Sequence, residues 1–152
     1  MYHKCLFSIC VLVFSNLSQA GSFCNDLKKV SEAGDYSYES LKIGNSITTN
    51  GNDIWKPKID LAVNRNGNCI ILKKLSEIDV RRGITSYVCN FNGNNVQQAT
   101  SAGSLLKDIQ LCHPGSFPVV ESQYFVSVKI NDRTIAGVVV NRNTSEPELI
   151  LY

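Results

Sequence analysis

Residues 68–89 read NCIILKKLSEIDVRRGITSYVC, two β-type runs separated by a polar loop that contains Gly83. Asn68–Leu72 and Ile84–Cys89 are rich in β-branched and aromatic residues, which suit extended backbone. Folded as a symmetric hairpin, the segment turns about residue 79, and Cys69 then faces Cys89 across the two strands. Directly opposed cysteines of an antiparallel pair lie within disulfide reach.

Outside the first twenty residues the chain holds four cysteines: Cys24, Cys69, Cys89 and Cys112. None forms a C-x-x-C pair, so neither a zinc ribbon nor a thioredoxin-type redox motif is offered. Three pairings are possible, and the hairpin favours Cys69–Cys89, which leaves Cys24 with Cys112. The second bridge would tie the beginning of one predicted helix to the end of another. In the chain-entropy model the two closures contribute about 3 and about 4–5 kcal/mol.

Disulfides imply an oxidising compartment, and the N-terminus carries a matching address. Lys4 precedes the apolar run Cys5–Phe14, and Ser18-Gln19-Ala20 places small residues three and one positions before a cleavage point. A basic start, a short apolar stretch and a small-x-small exit are what a signal peptidase reads. The expectation is a cleaved signal peptide over 1–20 and a single domain over 21–152, located in the periplasm or secreted. Ten apolar residues span about 15 Å as a helix, roughly half a bilayer core, so no stable membrane anchor is expected. Fifteen basic and thirteen acidic residues give a net charge of +2, which leaves no electrostatic footprint for nucleic acid.

Working outward from the hairpin, Ser22 is a plausible helix N-cap, with Phe23, Leu27 and Val30 on one face and Gly34 at the end. Residues 35–52 are polar and turn-rich and read as a long connection. Ile54–Val63 reads as a strand, with Pro57 marking an edge or a bulge. From Val96 to Leu111 the spacing of Ala99, Ala102, Leu106 and Ile109 predicts an amphipathic helix, stopped by His113-Pro114-Gly115. Tyr124–Ile130 and Thr134–Asn141 form a second hairpin about Asn131-Asp132, and Leu149–Leu151 adds a short final strand. The chain shows no internal repeat. The predicted class is α+β: an antiparallel sheet of about five strands with two helices packed on one face, in the order α-β-β-β-α-β-β.

Catalytic chemistry finds little purchase. His113 is the only histidine after residue 20, and a disulfide at the adjacent Cys112 would remove that thiol as a nucleophile. A histidine in a helix-terminating turn is most simply a partner of the helix dipole. There is no G-x-S-x-G elbow, no H-E-x-x-H and no phosphate-binding glycine loop. The Asn-rich turns lack the carboxylates of a calcium loop. No enzyme activity, metal or cofactor is therefore expected. Binding residues are sought instead at the hairpin tip, where Arg81 and Arg82 would be rigidly presented, and among the aromatics Tyr36, Tyr38 and Trp55.

An early cysteine in a helix (Phe23-Cys24), a Trp-led strand (Trp55), a cysteine-linked strand pair and a helix ending in Leu111-Cys112 make a recognisable set. In residue type and spacing, the chain resembles small disulfide-containing periplasmic proteins of Gram-negative bacteria. These include immunity proteins against secreted toxins and inhibitors of lysozyme. The resemblance implies an exported binding protein that neutralises another protein, a secreted toxin or a hydrolase such as a wall-degrading enzyme, by steric occlusion. A small-molecule or lipid-binding role is the alternative.

Overall fold

The computed structural model describes residues 21–62, 67–74, 84–91, 98–140 and 146–152, with the backbone alone for 98–101. Helix α1 covers 21–34, and a 3-10 turn follows at Glu39–Leu41. Four strands come next: β1 (Lys42–Thr49), β2 (Asn52–Pro57), β3 (Gly67–Lys74) and β4 (Thr85–Phe91). Helix α2 (Gln98–Cys112) leads into β5 (Pro118–Ser122), β6 (Phe125–Lys129), β7 (Ile135–Val140) and β8 (Pro147–Leu151). The predicted signal segment over 1–20 lies outside the described residues.

All eight strands form one sheet in the order β1-β2-β3-β4-β8-β7-β6-β5, antiparallel throughout. The expected sheet of about five strands in the order α-β-β-β-α-β-β is thus overturned. The observed order is a helix and a four-stranded meander, then a second helix and a second meander. The two meanders meet at the centre, where β4 pairs with β8. The repeat is one of topology and leaves no trace in the sequence.

The two strands absent from the expected set are the outermost ones, for a physical reason: β1 falls in the stretch read as a connection, and β5 in a stretch given no assignment. An edge strand packs against little, so it needs no alternation of apolar and polar residues. β1 reads KIGNSITT, with Gly44 at φ 66° and a bulge between Ile43 and Ile47. β5 reads PVVES, is exposed along its whole length, opens with a proline and shifts register between Val120 and Ser122. Bulges, brevity and proline discourage edge-to-edge pairing with other chains.

Helical boundaries differ less. Residues 21–34 are already helical at the first described position, so Ser22 sits inside the helix and is not its cap. The strand expected over Ile54–Val63 ends at Pro57. In α2 the buried positions are Leu105 and Ile109, with Ala102 and Leu106 packed against the core.

The core lies between the helices and one face of the sheet. Register places Cys69, Cys89, Leu149, Val138 and Val126 in one cross-strand row on that face. Trp55, Ile71, Tyr87, Leu151, Ala136 and Val128 form the next row. Phe23, Leu27 and Val30 of α1 and Leu105 and Ile109 of α2 join the same buried cluster. Each large side chain buried this way contributes about 1.5–3 kcal/mol.

Both predicted disulfides are present. Cys69 and Cys89 are direct cross-strand partners with Cα atoms 4.0 Å apart. Cys24 and Cys112 join α1 to α2, Cα atoms 5.0 Å apart, across 88 residues of sequence. Paired cysteines are compatible with an extracellular or periplasmic protein. No helix among the described residues is long and apolar enough to cross a membrane.

Candidate partner-binding face

Side chains alternate along a strand, so the residues between those of the core rows point to the sheet's other face. Ile54 and Leu72 are register partners there. The next row is Ile70, Val88, Ile150, Gly137, Ser127 and Val119. Val139 and Phe125 face each other in the row beyond, with Glu148, Asn90 and Asn68 completing it. Neither α1 nor α2 covers this side. Ile54, Leu72, Ile70, Val88, Ile150, Val139 and Phe125 are half-buried, and Val119 is 55% exposed.

The ring of Phe125 lies over Gly137. A Cβ built on that glycine would come within 2.5 Å of the ring. The missing side chain therefore lets an aromatic ring lie against the sheet, where it extends the apolar surface beside Ile150 and Val139. Beside it Ser127 Oγ donates to Glu121 Oε1 at 2.9 Å, which satisfies the polar groups at the β5–β6 end.

The structure scatters the aromatics that the sequence had grouped. Tyr36 is 77% exposed, whereas Tyr38, two residues on, is 1% exposed. Ser37 and Tyr38 both adopt positive φ, at 54° and 59°, and this kink drives the second ring inward. Tyr38 Oη donates to Leu151 O at 2.9 Å, and burial raises the hydroxyl's pKa well above its ordinary value. Tyr38 is therefore a core residue and offers no surface contact. Trp55 points to the covered face, packed against the core, with Lys42 Nζ 4.0 Å from its ring centroid. Arg81 and Arg82 lie outside the described residues.

Tyr87 has a structural task of the same kind as Tyr38. Its hydroxyl donates to Ile59 O and accepts from Leu61 N–H, fixing the turn after β2. Burial first, and neighbouring carboxylates after it, push its pKa up.

His113 caps α2 through its backbone, whose N–H donates to Ile109 O at 3.0 Å. Its ring is partly buried, and Nε2 has no hydrogen-bond partner. Burial lowers the ring's pKa, because desolvation disfavours the charged form. An open groove of about 470 Å³ adjoins it, lined by Ser116, Lys129, Asn131 and Asp132 among others. Among the described residues no group of three His, Cys, Asp or Glu could hold a metal ion.

The open face was missed in the sequence, yet it left a signal. A strand with one wetted face should alternate. Ile70-Ile71-Leu72, Tyr87-Val88-Cys89 and Leu149-Ile150-Leu151 are apolar at both parities, so the face away from the helices had to be apolar as well. No family model, curated protein or solved structure matches the chain.

Proposed function

We propose that this chain is an exported binding protein that neutralises another protein, an immunity factor or inhibitor aimed at a secreted toxin or hydrolase. The carrying observation is the apolar band across the middle of the sheet, half-buried along most of its length and covered by neither α1 nor α2. Single exposed apolar residues are ordinary, but a contiguous band of this kind marks an interaction surface. Two disulfides and a continuous sheet hold the band rigid, which lowers the entropy lost on docking. Inhibition by occlusion needs a firm surface of this kind and no catalytic group of its own. Arg81 and Arg82, which fall between β3 and β4 in the sequence, would add contacts to the partner.

The test is a capture experiment on immobilised, oxidised protein, comparing wild type with Ile70→Lys and Val88→Lys. The expected result is one stoichiometric partner from secreted or envelope fractions, inhibited by the wild type and released by either substitution. Both variants should keep the wild-type unfolding midpoint to within a few degrees. A partner bound equally well by all three proteins would move the contact off this face.

A further inference from the structure

The charges around the open face are unevenly distributed. The alternation that turns Ile54 and Leu72 outward also projects Lys56 from β2 and Lys74 from β3. Both are exposed, and among the described residues neither has an ion-pair partner. On the opposite side of the sheet the charges are already engaged. Lys129 pairs with Asp132 at 3.1 Å, and Glu121 accepts the Ser127 hydroxyl. The apolar band therefore borders two cations on the β2–β3 side that have no ion-pair partner among the described residues.

We infer that the open face takes a protein whose docking patch is apolar at its centre and carries carboxylates on the side that meets β2 and β3. This deepens, and rests on, the reading of that face as a protein-binding surface. Charge complementarity at a rim governs the encounter rate and the orientation of docking more than the final affinity. Size fits the same occupant. Eight strands spaced at about 4.8 Å, each about five residues long at about 3.3 Å per residue, give a footprint of about 600 Å². That approaches the roughly 800 Å² that one side of a stable protein interface buries. An anionic membrane would match the lysines too, but basic lipid-binding clusters carry about four to eight cations. A second copy of this chain would bring the same lysines, and among the described residues the carboxylates of this face, Glu121 and Glu148, are already engaged.

The probe is the protein retained by the wild-type chain, purified and mixed with it at known concentration. A carbodiimide, which joins an amine to a carboxylate only where they touch, should cross-link Lys56 and Lys74 to aspartate or glutamate of that protein. Lys56→Glu combined with Lys74→Glu should slow association about ten-fold or more at low salt, a difference that shrinks above about 0.3 M. Lys56→Arg with Lys74→Arg should bind normally and lose the cross-links. A partner lost on Ile70→Lys but indifferent to the Glu pair would overturn the carboxylate inference and leave the face itself standing. Retention of no protein, or of one indifferent to both changes, would overturn both. Dimerisation of the chain alone through this face, or its sedimentation with vesicles containing 30% phosphatidylglycerol, would likewise overturn the inference in favour of that occupant.

Discussion

Ile70 and Ile71 are adjacent on β3 and meet different fates. Ile71 is fully buried in a row with Tyr87, Leu151 and Ala136 beneath the helices, whereas Ile70 is half-buried in a row with Val88 and Ile150 that neither α1 nor α2 covers. Both faces of the central strands are comparably apolar, so hydrophobicity does not choose which one the helices take. Polar locks make that choice. Tyr38 Oη reaches Leu151 O, Thr134 Oγ1 donates to Ser31 O at 3.1 Å, and Cys24–Cys112 ties the helices together. The first two bind α1 or its following turn to the sheet side, and the third joins α1 to α2. Among the described residues no contact of this kind holds a helix against the other face.

The largest expected effect comes from breaking the strongest of those locks. Replacing Cys24 and Cys112 together by serine should lower unfolding free energy by about 4–5 kcal/mol, because the bridge closes a long loop. Chemical denaturation of the oxidised proteins measures it. A loss below about 1 kcal/mol would mean that the helices hold the covered face without the bridge.

A paired substitution sharpens the contrast within one strand. Ile71→Ala should cost about 2–5 kcal/mol through lost burial and the cavity left behind. Ile70→Ala, facing the other way, should cost under about 1 kcal/mol. Equal losses in denaturant titrations would show that the open face is covered within the chain, and would remove it as a docking surface.

The sequence made some of this contrast legible. The Cys69–Cys89 hairpin could be read because its two runs are symmetric about a polar loop, and the β6–β7 hairpin because its alternation is clean. The cysteine pairing followed from the first of these. Three features had no local signature. Edge strands β1 and β5 pack too little to show a pattern. The β4–β8 pairing joins residues about sixty positions apart in the chain, beyond any local window. The inward swing of Tyr38 depends on two consecutive positive φ angles at non-glycine residues, which side-chain periodicity does not encode. Helix propensity and strand pattern thus located the pieces, and long-range contacts decided their partners.

The smallest expected effect probes the end of the Cys24–Cys112 lock. His113 adjoins that bridge, and its partly buried ring has a pKa below the ordinary value of about 6.5 because burial disfavours the charged form. The unfolded chain therefore binds a proton more readily than the folded one, and stability must rise with pH across the interval between the two values. His113 contributes its stabilisation fully above about pH 6.5, and that contribution is lost as the pH falls through the folded value. Solvent still reaches the ring, so the effect should stay below about 1 kcal/mol. Between pH 7.5 and pH 5, wild type should lose more unfolding free energy than His113→Gln, with both measured in the same denaturant series. A steeper loss in the variant would mean that the ring is held protonated at the helix end. In that case the dipole of α2, and not burial beside the bridge, would govern this corner of the covered face.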